Sequence, residues 1–332
     1  MDLELLYERA GMFREIRAFF DQRNYLELDT PLLAPDLIPE TCLEVFETLY
    51  LAPPGSKTRS SRPYWLVPSP EIWMKKLIAR NPVSVYQICK CFRNGESTGR
   101  IHSPEFTMLE YYTMDADYRD SLALTEDLFR SLLKLWPRGG GAGLSPPFLR
   151  IAMEEAFVRY AGFSLFEAAE QGTLAAEARK LRLDPPPDLD TPALYDLVFI
   201  HAVEPSLPRD RVVALTDYPA FVPCLAKKSG DGRTVERWEI YARGIELANC
   251  YSEETDPGEI RRYFEREGRE KNQTALVPHA VDADYWKNFL PRAGRPFPRC
   301  SGVAMGLDRL FMALAGASSI DAALPFPMSS PE

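Results

Sequence analysis

Histidine is nearly missing from this chain of 332 residues: only His102, His201 and His279 occur, which excludes a histidine-rich metal cage. The six cysteines, Cys42, Cys89, Cys91, Cys224, Cys250 and Cys300, include no pair with a two-residue gap, so neither a zinc ribbon nor a thioredoxin-type redox pair is available. Free thiols in a reducing compartment are the reading that remains. Positive charge is short as well, with 39 Lys plus Arg against 48 Asp plus Glu and a net charge of −9. A phosphate backbone is gripped mainly by Lys and Arg, so nucleic acid is not the default partner. The start, Met1-Asp2-Leu3-Glu4, is acidic where a signal peptide is basic, and Asp308 and Arg309 interrupt the longest apolar stretch near the C-terminus. These absences predict a cytoplasmic protein without a membrane span. With 45% hydrophobic residues the chain can bury a sizeable core, as one large domain or two ordinary ones.

Apolar residues at Met12, Ile16, Phe19 and Phe20 mark one face of an opening helix that ends near Asn24. Residues 25–33 then predict a short strand. Pro31 cannot donate to a central ladder and so assigns it to a sheet edge, of the kind that pairs across a dimer. Over 83–93 a period of two places Val85, Gln87, Cys89, Cys91 and Arg93 on one face and Tyr86, Ile88 and Phe92 on the other. A polar loop, 94–103, leads to a second strand over 105–113 that aligns Phe106, Met108, Glu110 and Tyr112, giving a long-looped antiparallel hairpin. Residues 137–210 read as a helical insertion punctuated by the Gly-rich run 137–143 and the Pro-rich run 184–188. Strands return at 212–215 and 237–251, an acidic helix follows at 257–271, and 302–310 runs into a closing helix. The pattern predicts an α+β fold over 1–332, with a mostly antiparallel sheet flanked by helices.

Four polar clusters interrupt these elements. Arg93 ends a strand, where a guanidinium pairs bidentately with phosphate or carboxylate, or forms a surface salt bridge. Phe106 with Glu110 and Tyr112 sets an aromatic plane beside a carboxylate and a phenol, suited to stacking a base and holding an ammonium group; Phe106 and Met108 alone also read as core. Glu239 and Glu246 flank a tight turn at Ala242-Arg243-Gly244. If 241 pairs with 244, they fall directly opposite with Cβ atoms about 4.5–5.5 Å apart, close enough to call for a divalent cation such as Mg²⁺; a bulge at Gly244 would spoil that pairing. Asn249 and Glu253 surround Tyr251, an alternation a solvated strand shares, and 302–309 brings small residues to Arg309, as a close backbone approach to a ligand or as a glycine-rich tight turn capped by Asp308 and Arg309.

Taken together, the segments Pro68-Ser69-Pro70-Glu71 with Met74-Lys75, Phe92-Arg93-Asn94, Gly99-Arg100 with His102, 104–110, 243–249, and 300–304 with Gly306 and Asp308-Arg309 resemble the motif 2 and motif 3 regions of class II aminoacyl-tRNA synthetases, and 25–31 resembles motif 1. The resemblance covers nearly the whole chain and is to the lysyl branch, most of all to its free-standing paralogues that join (R)-β-lysine to elongation factor P. It implies that Arg93 holds the α-phosphate and the substrate carboxylate, that Phe106 and Arg309 sandwich adenine, and that Arg100 and His102 reach the outer phosphates. Asn94, Glu96, Ser103, Glu246, Leu247 and Gly306 would complete the ATP site, with Arg93 and Arg309 catalytic and Glu239 and Glu246 on Mg²⁺. Ser69, Pro70, Glu71, Glu110, Tyr112, Asn249, Tyr251, Glu253 and Ala304 would form the lysine-type pocket.

Three positions depart from the patterns of this family. Motif 2 reads Arg-x-Glu, whereas Arg93-Asn94-Gly95-Glu96 has one residue more, and Ser103 replaces the usual Asn. Ala304 stands where lysyl-tRNA synthetases resemble one another in having Gly, and its methyl group would bias the pocket toward a β-amino acid by ~1–3 kcal/mol. Motif 1 within the first thirty residues leaves no chain for an anticodon-binding barrel. The resemblance thus implies a homodimeric, cytoplasmic, ATP-dependent ligase that forms an aminoacyl adenylate and passes it to the ε-amine of a lysine on elongation factor P. Two rivals remain, a truncated lysyl-tRNA synthetase charging tRNA with α-lysine and a non-catalytic synthetase-like regulatory subunit. Intact Arg93, Glu239, Glu246 and Arg309 argue against the second.

Overall fold

The structure, a computed structural model, describes residues 3–53, 61–96, 99–136, 141 and 143–328; Met1, Asp2 and most of the Gly-rich run 137–143 lie outside the described residues. Helix α1 (Leu3–Asp21) buries Met12, Ile16, Phe19 and Phe20, the face its periodicity predicts. There follow β1 (Leu26–Glu27), β2 (Leu33–Ala34), β3 (Glu47–Tyr50), β4 (Arg62–Leu66), α2 (Glu71–Ile78), the hairpin β5 (Val85–Phe92) and β6 (Glu105–Met114), and α3 (Tyr118–Leu133). The middle of the chain holds β7 (Leu149–Ala152) and the short helices α4 (Met153–Ala156), α5 (Leu165–Glu170), α6 (Leu174–Lys180) and α7 (Thr191–Val198). Then come β8 (Val213–Pro219), β9 (Thr234–Ala242), β10 (Ile245–Ser252), α8 (Pro257–Thr274), β11 (Cys300–Gly306), α9 (Leu307–Ala315) and α10 (Ile320–Ala323).

Eight strands form one sheet in the order β1-β5-β6-β11-β10-β9-β8-β7, and β2-β4-β3 form a small second sheet. Only the edge pairs β1 with β5 and β7 with β8 are parallel; the rest of the large sheet is antiparallel. Three expectations change in detail. The strand expected over 25–33 shrinks to Leu26–Glu27 at the sheet edge, because Pro31 falls in the extended link before β2. The segment 137–210 contains β7, which closes the opposite edge. The run 302–306 is a central strand, not a glycine-rich tight turn. Gly302 is there for space: a Cβ at this position would strike Glu253 Oε1 and the Tyr112 ring.

Alternation sorts the sheet into two faces. One carries Tyr86, Leu109, Tyr111, Trp238, Ile240, Cys250, Val303 and Met305 into a continuous core with α1, α3 and α9. The other face is covered only toward its ends. Val85, Tyr112 and Cys300 pack with α2, α8 and the Tyr285–Phe289 turn. Val213, Leu215 and Tyr241 pack under α4 to α7. Between these two covers the central strands β6, β11 and β10 leave their side chains open to ligands.

Candidate active site

Strand register decides which side chains share that open stretch, since directly paired residues project to the same side. Gln87 pairs with Glu110, Glu110 with Ala304, Ala304 with Asn249 and Asn249 with Glu239, making one row across the sheet. Tyr112, Gly302, Tyr251 and Arg237 make the next. The face that sequence periodicity gives to Phe106, Met108, Glu110 and Tyr112 is therefore the site face.

The β9–β10 turn corrects one geometric expectation. Arg243 and Gly244 sit at φ 55° and 77°, a two-residue turn with both central residues left-handed, so Ala242 pairs with Ile245 and Tyr241 with Glu246. A bulge between Glu246 and Ala248 then leaves Leu247 unpaired with β9 and sets Glu239 opposite Asn249. Glu239 and Glu246 are thus on one face but not opposite each other, because the two-residue turn sits one residue further along the chain than a 241–244 pairing needs and the bulge shifts the register again.

A cleft of ≈ 600 Å³ is lined by Arg93, Glu96, His102, Ser103, Phe106, Glu246, Leu247, Gly306 and Arg309, among others. Arg93 Nε is buried without a hydrogen-bond partner, its Nη1 lies 3.8 Å from Glu96 Oε1, and its guanidinium stands 5.2 Å from the Phe106 ring centroid. Glu96 reaches this cleft despite the extra residue in its loop, helped by Gly95 at φ 71°. Arg309 is fixed by Nε donating to Ile101 O at 3.0 Å and Nη1 donating to Glu246 O at 3.1 Å. Burial and the nearby Arg309 hold the His102 pKa below its ordinary value, which favours a neutral ring there.

A second cleft of ≈ 470 Å³ shares Arg93, Met108, Asn249 and Ala304 with the first and adds Glu40, Ser69, Glu71, Glu110, Tyr112, Tyr251, Glu253 and Gly302. Its chemistry is carboxylate-rich. Lys75, 1% exposed on α2, pairs with Glu71 at 2.6 Å and Glu253 at 2.5 Å. Glu110 accepts the Tyr112 hydroxyl at 2.6 Å through Oε1, while its Oε2 is buried and unpartnered. Among the described residues, the carboxylates of Glu40, Glu71, Glu110 and Glu253 outnumber the cations that act on them, Lys75 and Arg93 with Lys271 on Glu40, so negative charge is in excess. Burial, reinforced by neighbouring carboxylates, raises Glu40 and Glu253 to about 7 and Glu110 well above the carboxylate range. Such a pocket gains most from a ligand that brings ammonium groups.

The remaining expected residues fall outside the two clefts. Asn94 anchors its loop, donating from Nδ2 to Val45 O at 3.2 Å and accepting from Gly95 N at 2.9 Å. Arg100 is exposed, and Pro70 is buried at the N-terminus of α2, where it turns Ser69 and Glu71 inward. The Glu239 carboxylate is engaged by Arg237 and by the Tyr241 hydroxyl at 2.7 Å. Burial and Glu239 push Glu246 up to about 7, against Arg309, whose Nη1 lies 3.6 Å from its Oε2, and as hard oxygen donors the two carboxylates fit a divalent cation. Among the described residues no cluster of three or more His, Cys, Asp or Glu forms a closed metal cage.

Sequence reasoning quoted Lys75 and Asp308 as motif residues without giving them a place in the site, and passed over Glu40 and Arg237. The Glu71 and Lys75 spacing of four on a helix was a signal for the first. Glu40 sits in irregular chain, where periodicity is silent. Asp308 is structural: Oδ1 takes Arg9 at 2.6 Å and Oδ2 takes the Thr107 N–H at 2.6 Å, tying α1, β6 and α9 together under Arg309.

Comparison with known proteins agrees with this architecture. Residues 3–330 match the family of tRNA synthetases class II (D, K and N). The elongation factor P–(R)-β-lysine ligase of Mannheimia succiniciproducens is 34% identical over 99% of this chain and 96% of its own length. The ligases of the same name from Avibacterium paragallinarum and Pasteurella multocida are 33% and 34% identical over 99% and 98% of this chain, and 96% and 95% of their own lengths.

Proposed function

Because the chain belongs to the class II tRNA synthetases of the D, K and N type, we propose that it is an AMP-forming ligase that activates (R)-β-lysine with ATP and joins it to a lysine ε-amine of elongation factor P. The observation that carries this reading is the meeting of two clefts at Arg93, one suited to a nucleotide and one with carboxylates in excess. A diamino acid meets both demands, its ammonium groups compensating Glu71, Glu110 and Glu253 and its carboxylate turning to Arg93.

The substrate carboxylate attacks the α-phosphorus of ATP, the bond to pyrophosphate breaks, and an aminoacyl adenylate remains. Arg93, and Arg309 already fixed by its two backbone contacts, oppose the charge that develops on the phosphate oxygens. Glu239 and Glu246 would hold Mg²⁺, which when bound neutralises phosphate charge. Phe106 and Arg309 bracket adenine, His102 and Ser103 lie along the same cleft, and Arg100 would swing in from the surface. Ala304, on the wall common to both clefts, sets the space where the amino acid meets the phosphate. In the second step the acceptor amine takes the acyl group and AMP leaves, with no enzyme nucleophile required.

The acidic balance supports a protein acceptor over tRNA, and Leu26, Leu32 and Leu33, all exposed beside the sheet edge, support a homodimer through that surface. Free cysteines support work in the cytoplasm; no helix among the described residues is long and apolar enough to cross a membrane. Pyrophosphate release with (R)-β-lysine and with α-lysine tests the reading. Faster release with (R)-β-lysine is expected, and faster release with α-lysine accompanied by labelled tRNA would replace it with a truncated lysyl-tRNA synthetase.

A further inference from the structure

A third cavity, ≈ 1280 Å³ in volume, opens beside the amino-acid cleft and shares Glu40, Glu71 and Tyr251 with it. Its outer wall is built by Asp190 and Asp196 at helix α7, by Glu267 and Glu270 on α8, and by the 222–225 loop. The cation on this wall is Arg237, which is committed to Glu239. Glu40 stands at the inner end on the boundary between the two cavities, and its carboxylate has no hydrogen bond or ion pair among the described residues, whereas Glu267 accepts from Thr41 at 3.1 Å and Arg266 at 3.1 Å. Asp196 is held above the usual carboxylate range, by burial first, with Glu239 and Asp190 adding to it.

We infer that this cavity is the entry for the acceptor, a lysine side chain of a folded protein, and that the Glu40 carboxylate receives its ε-ammonium and takes a proton from it, so that the neutral amine attacks the acyl carbon, the acyl–phosphate bond breaks, AMP leaves and the second amine proton passes to solvent. The inference rests on the ligase reading above and adds where the second substrate docks. The geometry leaves it this route. After activation AMP would occupy the cleft of Phe106 and Arg309, and behind Glu71 and Glu253 the amino-acid cleft is backed by Lys75, buried and paired with both. The third cavity opens to solvent, touches the amino-acid cleft at a carboxylate that has no hydrogen bond or ion pair among the described residues, and carries the charge that attracts a lysine-bearing segment. Helix α7, from the middle segment of the chain, gains a role as one wall of this entry.

The test separates the two half-reactions. Adenylate formation is followed by ATP–pyrophosphate exchange with (R)-β-lysine, and transfer by the mass of elongation factor P. Asp196→Asn and Glu270→Gln, on the outer wall, are expected to raise the KM for elongation factor P about fivefold each, less at high salt, while exchange stays within about twofold of the parent. Glu40→Gln, an isosteric change, is expected to lower transfer about tenfold or more, well beyond any change it makes in exchange. Retained exchange also reports that each variant is folded. Unchanged transfer in all three variants would overturn the inference and leave the ligase reading standing. A matched loss of exchange in Glu40→Gln, with the KM for (R)-β-lysine raised, would assign Glu40 to the activated amino acid and equally overturn it. Absence of exchange in the parent enzyme would instead defeat the ligase reading itself.

Discussion

Lowering the pH below neutrality should loosen the hold on a lysine-type ligand, and Glu253 sets the scale. Its carboxyl, 4% exposed, is pushed from 4.5 to about 7, chiefly by burial and then by Glu71, with Lys75 opposing. Between those values the folded protein keeps a proton that the unfolded chain has released. The stability this gives is therefore full below about pH 4.5 and lost as pH rises through about 7. At about 1.4 kcal/mol per pH unit, this one group takes about 3 kcal/mol from the ligand-free protein across that interval. A bound ammonium does the proton's work instead, so the carboxylate ionises on binding and a proton is released. Affinity for (R)-β-lysine should then fall about tenfold per pH unit below neutrality for each proton displaced. Titration calorimetry between about pH 5.5 and 8, in buffers of different ionisation heat, reads both quantities. Affinity independent of pH, or proton uptake on binding, would refute the argument that the pocket is a set of carboxylates awaiting cations.

Other perturbations probe separate parts of the site. Ala304→Gly should shift relative kcat/KM toward α-lysine by ~1–3 kcal/mol, measured by pyrophosphate release with both amino acids; unchanged ratios would count against Ala304 as a determinant of substrate choice. Gly302→Ala should raise the KM for the amino acid while leaving nucleotide binding intact, because the added Cβ strikes Glu253 and Tyr112 and not the adenine cleft; kinetics in each substrate separate the two. Asp308→Asn should cost about 3 kcal/mol or more in urea unfolding, since it leaves the Arg9 guanidinium, 13% exposed on its side chain, without its ion pair. A loss of activity without loss of stability there would contradict the structural role given to Asp308.

Much of this site was readable from period-two patterning. The face shared by Phe106, Met108, Glu110 and Tyr112 follows from strand alternation alone, and the long-range pairing of β6 with β11 and of β11 with β10 then carries it across to Ala304 and Asn249. The relation of Glu239 to Glu246 was not readable, because it depends on a two-residue turn and a bulge at Leu247, and alternation looks the same in either register. Small residues at Gly302 and Gly306 suggested a turn where a strand forms. Their smallness answers crowding from neighbouring strands at Gly302, and sequence does not show what stands opposite. Glu40 lies in irregular chain, and its importance emerges only when two cavities are seen to meet at it. Lys75 shows the converse case: its spacing from Glu71 was visible, but its pairing with Glu253 needed the fold.

The most direct test of the ligase assignment is the intact mass of elongation factor P after incubation with the enzyme, ATP and (R)-β-lysine. The account predicts a gain of one lysyl residue on a lysine side chain, with one AMP formed for each residue transferred. Unmodified elongation factor P, with the amino acid found on tRNA instead, would contradict it.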